Sequence, residues 1–171
     1  MENFTNETLD TKQLPKFEEV QLTTLNFKYW YEIVINSIII FIVLGIIVTL
    51  VWYNSDEFSS SGIYFISSYI TFLIFWFLLK RIGFKKKGYA FRNHDVIFRS
   101  GIIATNTMVI PYNRVQHVAI HESVISRFFG LAKVEIFTAG GSSSDIEIPG
   151  IEKLEAENIK QLLVGKIQKQ L

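Results

Sequence analysis

The stretch Ile33–Tyr53, IVINSIIIFIVLGIIVTLVWY, holds 21 residues without a charge, and Ile63–Leu79, IYFISSYITFLIFWFLL, holds 17 more. A helix rises about 1.5 Å per residue, so the first run reaches about 31 Å, the thickness of a hydrocarbon core. The second is at the short end of the spanning range and draws on its flanks. Nine residues at 54–62, NSDEFSSSG, join the two. The reading is a transmembrane helical hairpin, which sets the class of the chain before any motif is considered. A cleaved signal peptide fits less well, because 32 residues precede the first run and no A-x-A site follows it.

Outward from the hairpin, charge gives orientation. The connecting loop has no Lys or Arg, whereas the other side carries Lys28 and then Lys80, Arg81, Lys85, Lys86 and Lys87. This asymmetry predicts both termini on the cytoplasmic side of a multi-pass chain. Tyr29, Trp30 and Tyr31 are expected at the inner interface, and Trp52, Tyr53 and Tyr64 at the outer one. Neither run contains Asp, Glu, Lys, Arg or His, which speaks against a channel. Gly45 and Thr49 lie four apart in the first run, as do Ser67 and Thr71 in the second, and they predict a small-residue packing seam. The competing reading is that Ser and Thr bond their own preceding carbonyls.

The average composition conceals these two parts. Over 171 residues the chain is 49% hydrophobic with a formal net charge of +1, which says little about partners and gives no sign of nucleic-acid binding. Residues 80–171 are ordinary polar and apolar sequence, long enough for one small core. With no cysteine, disulfides, thiolate metal sites and thiol catalysis are excluded. At the other end, Pro15 interrupts residues 1–32, of which 1–15 are expected to be disordered. Phe17–Trp30 is a candidate for lying on the membrane surface, although its apolar residues keep no clean helical period.

After a basic juxtamembrane linker at 80–87, the period becomes strand-like and a domain over 88–171 begins. Tyr89–Phe91 and Val96–Arg99 read as strands around the turn Asn93-His94-Asp95. A third strand falls within Ile102–Ile110, a corner at Pro111-Tyr112-Asn113, and a fourth strand at Arg114–His121, where a slip in the apolar positions predicts a bulge near Gln116 or His117. Ser123 caps a short helix that Gly130 ends in the left-handed conformation. Lys133–Thr138 and Asp145–Ile148 are strands separated by a Gly/Ser loop. A helix from about Ile151 to Lys169 carries an apolar stripe of Ile151, Leu154, Ile159, Leu162, Leu163 and Ile167. The class is α+β: a bent antiparallel sandwich or partial barrel with a C-terminal helix.

Three segments carry a resemblance: Val109–Val118 (VIPYNRVQHV), Arg127–Val134 (RFFGLAKV) and Thr138–Gly141 (TAGG), with Ile148–Ile151 (IPGI) closing it. The chain resembles the bacterial pleckstrin-homology-like (YdbS-type) membrane protein family over about residues 25–170. The resemblance implies seven strands in two packed sheets plus a C-terminal helix. Six strands are evident, and the seventh is expected near Ala104–Thr107. It also implies a bacterial cytoplasmic (inner) membrane location. Pro111, Tyr112, Arg114, Gln116, Gly130, Leu131, Gly140 and Gly141 are then structural motif positions.

Candidate sites follow from charge and exposure. Lys80, Arg81, Lys85, Lys86 and Lys87 form a polybasic collar suited to anionic lipid headgroups, or to topology alone. Arg92 and Arg99 are the candidates for specific headgroup contact, although the K-x(n)-R-x-R phosphoinositide pattern is not present. His117 and His121 are about 13 Å apart along a strand and cannot share an ion. Ser142-Ser143-Ser144 with Asp145 has no His placed as a base. Gly140-Gly141 alone makes no phosphate loop. No catalytic residue, metal site or cofactor is expected. Arg127, Phe128 and Phe129 are partner-contact candidates, with one phenylalanine facing inward and one outward. The expected function is a non-enzymatic, membrane-anchored interaction module that scaffolds a membrane protein complex or self-associates, in envelope function or stress response. The alternative is an anionic-lipid headgroup-binding module.

Overall fold

The computed structural model describes residues 19–53, 62–139 and 146–168. The expected disorder of residues 1–15, most of the connecting loop, Gly140, Gly141 and the Ser142–Asp145 run lie outside the described residues. The element order is β1 (Thr23–Thr24), α1 (Lys28–Tyr53), α2 (Gly62–Lys86), β2 (Gly88–Phe91), β3 (Asp95–Ser100), β4 (Asn106–Pro111), β5 (Val115–His121), α3 (Val124–Phe128), β6 (Leu131–Thr138), β7 (Ile146–Glu152) and α4 (Lys153–Gln168).

Both apolar runs are helical and long enough to cross a membrane. The segment expected to be a linker after the second run is helix as far as Lys86. Its polar composition suggested a break, but Lys and Arg are good helix formers and Gly83 alone does not interrupt the ladder. The hairpin seam also differs from the expected one. Thr49 donates its hydroxyl to the Gly45 carbonyl (2.8 Å), Thr71 to that of Ser67 (2.8 Å) and Ser67 to that of Tyr64 (3.0 Å). All three therefore satisfy themselves within their own helices and are exposed. Aromatic rings fill the seam instead. Phe41 packs edge-on against Tyr69, Phe72 and Trp76, and the Tyr69 hydroxyl donates across to the Phe41 carbonyl at 2.6 Å. Of the four small residues, Gly45 lies beneath the Tyr69 hydroxyl, and Thr49 lines the groove between the two helices.

Two antiparallel sheets follow, ordered β1-β2-β3-β4 and β5-β6-β7. Tyr89 pairs with Phe98, and Phe98 with Met108. The predicted bulge is present as a register shift between Val115 and His117. One core joins the sheets: Tyr89, Val96 and Phe98 from the first meet Val115, Val134, Ile136, Ile146 and Ile148 from the second. From α4, Ala156, Ile159 and Leu163 close it. Leu154 and Leu162, which the stripe included, are exposed, because the buried face runs 156–159–163 and leaves them on its flanks.

The seventh strand is the main departure from expectation. Residues 106–107, at the end of the stretch where it was sought, open β4, whereas the added strand is β1, which precedes the hairpin and pairs Thr23 with Tyr89 and Thr24 with Gly88. Leu25 then enters the core. The described residues just before α1 are therefore part of the sheet domain.

Candidate functional site

The residues that join α1 to the sheet domain form a polar cluster. Asn26 starts it. Its side-chain oxygen accepts from the Lys28 backbone N–H at 2.9 Å, a local cap at the helix start, while its amide nitrogen donates to Glu152 at 2.9 Å. The Asn26 backbone N–H reaches the Gly150 carbonyl at 3.2 Å. One turn on, Tyr29 sits against Gly150, so closely that a Cβ there would stand 2.5 Å from the Tyr29 Cβ. Gly150 also holds φ at +68°, a conformation natural to glycine.

Next on the same helix comes Glu32, a buried carboxylate. Ser126 donates its hydroxyl to Glu32 Oε1 at 2.6 Å. Ser123 Oγ stands 3.1 Å from that oxygen and 2.7 Å from Ser126 Oγ, completing a three-way cluster. Ser123 also caps α3 by accepting from the Ser126 N–H at 3.0 Å, as its position predicts. Gly130 follows α3 at φ +69°, also as predicted. Tyr31 stacks on Phe129 with centroids 6.2 Å apart. The aromatic triplet assigned to an interfacial belt is thus divided. Tyr29 packs against the domain core and Tyr31 on α3, whereas Trp30 turns to α2. Nothing in the sequence marks Glu32 as buried, since its partners lie 91 and 94 residues away.

On the α2 side the basic collar is not uniform. Lys80 lies over the Trp76 ring and Lys85 is exposed. Lys86 donates to the Ile102 carbonyl at 2.7 Å. Lys87 is partly buried, and burial followed by repulsion from Lys80 lowers its pKa, against a smaller opposing pull from Glu147. Arg81 sits among three rings, with its guanidinium carbon 4.8 Å from the Trp30 centroid, 5.7 Å from that of Phe27 and 5.8 Å from that of Phe84.

The proposed headgroup pair is not assembled. Arg92 forms a bidentate ion pair with Asp95 across the β2–β3 turn, and hydrogen bonding to Asp95 raises its pKa. Arg99 points elsewhere on β3, with Nε buried and unpartnered. Arg92 is a turn brace, and its carbonyl also accepts the Tyr112 hydroxyl at 2.6 Å. Of the motif positions, Tyr112 and Leu131 are buried, Pro111 ends β4, and Arg114 and Gln116 are exposed beside the bulge. Arg127 is exposed, 3.7 Å from Glu122. Within the core, the Tyr89 hydroxyl donates to Glu155 at 2.9 Å, and burial together with this bond raises the phenol pKa.

The comparisons with known proteins agree with this architecture. The bacterial PH domain family matches residues 14–166, a span that includes β1 and both apolar helices. A relative, the UPF0699 transmembrane protein YdbS of Bacillus subtilis (strain 168), is 27% identical over 145 residues, covering 82% of this chain and 87% of its own length. No solved structure matches the chain. With seven strands in two sheets and a C-terminal helix among the described residues, joined to two membrane-length helices and matched over most of its length, the chain belongs to the bacterial PH domain family.

Proposed function

We infer that this membrane-associated PH module is an anchored interaction module rather than an enzyme. Two helices cross the cytoplasmic membrane with both termini inside, and they hold the PH domain against the inner face as one body. The domain presents an edge to a second membrane protein, or to a second copy, and so scaffolds a complex in the envelope.

The observation that carries this reading is the outer face of α3. Val124 and Phe128 are 88% and 85% exposed and stand four residues apart, hence on one face. Phe129 is already used against Tyr31, so the contact surface narrows from the expected Arg127–Phe129 trio to Val124, Phe128 and the exposed Arg127. The Glu32 cluster ties α3 to the start of α1, which keeps this apolar face beside the point where α1 enters the membrane. A partner confined to the same membrane meets it there without a long search.

A photo-crosslinking amino acid at position 128, activated in native membranes, tests this. The expected product is an adduct of discrete protein mass that disappears when Val124 is changed to Ser. Adducts to lipid alone would replace this reading with the headgroup-binding one, which the Arg81 surroundings favour.

A further inference from the structure

We propose that Arg81 is the phosphate-binding end of a site for one inner-leaflet phospholipid, whose acyl chain lies along α2. The site rests on the reading that α1 and α2 span the membrane with their inner ends at Lys28 and Lys86. Three observations assemble it.

The first is an uncompensated charge. Arg81 Nη1 is buried with no hydrogen-bond partner among the described residues, and the guanidinium carbon lies over the Trp30 ring. The sequence has no Asp or Glu between Glu57 and Asp95, nor between Glu19 and Glu32. The carboxylate of Glu32 is held by Ser123 and Ser126. Among the described residues no carboxylate of α1 or α2 pairs with Arg81, while Trp30, Phe27 and Phe84 surround its guanidinium.

The second is a groove of about 450 Å³ lined by Trp30, Leu73, Ile74, Phe77, Leu78 and Arg81. The third is its direction. Positions 73/74, 77/78 and 81 form one helical stripe, and the eight steps from Arg81 to Leu73 rise about 12 Å toward the membrane centre. Ile74 and Leu78 are exposed along it. A planar cation at the interface end of an apolar stripe matches a phosphodiester followed by an acyl chain. Lys85 follows one turn farther out on the same face, but it is exposed and does not line the groove.

The test is native mass spectrometry of the full-length protein in detergent with dioleoylphosphatidylglycerol, with dioleoylglycerol lacking phosphate, and with glycerol 3-phosphate lacking chains. The expected result is one retained phosphatidylglycerol, with affinity reduced about tenfold in Arg81→Gln and little changed in Lys85→Gln. Equal losses in both variants would reduce the site to a diffuse collar and overturn it. Equal binding of dioleoylglycerol or of glycerol 3-phosphate would also overturn it. Should Arg81→Gln fail to fold, a variant with Trp52→Phe and Trp76→Phe leaves Trp30 as the sole reporter. Quenching of Trp30 by chain-brominated phosphatidylglycerol is expected to be reversed by unlabelled phosphatidylglycerol and not by dioleoylglycerol; equal reversal by both overturns the site. Release of the wild-type protein by alkaline carbonate would overturn the spanning reading as well, whereas membrane retention without lipid selectivity overturns this site alone.

Discussion

Gly150→Ala is expected to destabilise the protein by about 2–4 kcal/mol, far more than one added methyl suggests. Two costs combine. The left-handed conformation at φ +68° opposes any Cβ by about 1–2 kcal/mol. The new Cβ would also fall 2.5 Å from Tyr29 Cβ and 2.6 Å from its Cγ, so the start of α1 must shift. Gly130 separates the two costs. It holds φ at +69° but has nothing within 4 Å of its Cβ position. Gly130→Ala is therefore expected to lose only about 1 kcal/mol. Thermal unfolding of both variants in the same detergent checks the difference. Equal losses would mean that Tyr29 does not press on Gly150, and that α1 is not seated on β7.

Glu32→Leu is expected to cost about 2–3 kcal/mol, although a leucine there would suit an apolar helix. The hydroxyls of Ser123 and Ser126 would lose their carboxylate acceptor in a buried place, and an unsatisfied donor costs more than a bond gains. Glu32→Gln keeps one acceptor oxygen and is expected to lose about half as much. The consequence extends beyond stability. With the cluster broken, the hydrogen bonds that fasten α3 to α1 are lost and the Tyr31–Phe129 stack remains, and limited proteolysis is expected to cut near residues 123–130 in Glu32→Leu but not in wild type. Unchanged protection would show that the cluster does not fasten the domain.

The two helices, the strand period from Tyr89 onward, the bulge before His117 and both ends of α3 are legible in the sequence because each is a local pattern. Apolar length, alternation, a Ser cap and a Gly stop need no knowledge of what lies far along the chain. The features that were not legible are those decided by distant partners. β1 is two threonines long and shows no alternation, and only its pairing with Gly88 and Tyr89 makes it a strand. Glu32 looks like the polar border of an apolar run until α3 is brought against it. Thr49, Ser67 and Thr71 have the spacing of a packing seam, but each has its own carbonyl within reach, so aromatic rings took the interface. Arg92 carries a local signal of its brace role. Asp95 lies three residues on, across a tight turn, where a guanidinium and a carboxylate find each other.

A chain without cysteine invites site-specific spin labelling, because introduced thiols are the only targets. Ile47→Cys on α1 and Lys160→Cys on α4 are both exposed positions, one on the hairpin and one on the domain. The distance distribution between labels at these positions, recorded by double electron–electron resonance in lipid nanodiscs, reports whether hairpin and domain move together. A single narrow distribution, no wider than that of an intradomain pair at Asn106→Cys and Lys160→Cys, is the expected result, with broadening in Gly150→Ala. A broad distribution in the otherwise wild-type chain would show the domain swinging free of α1, and would contradict a PH module held rigidly at the membrane face.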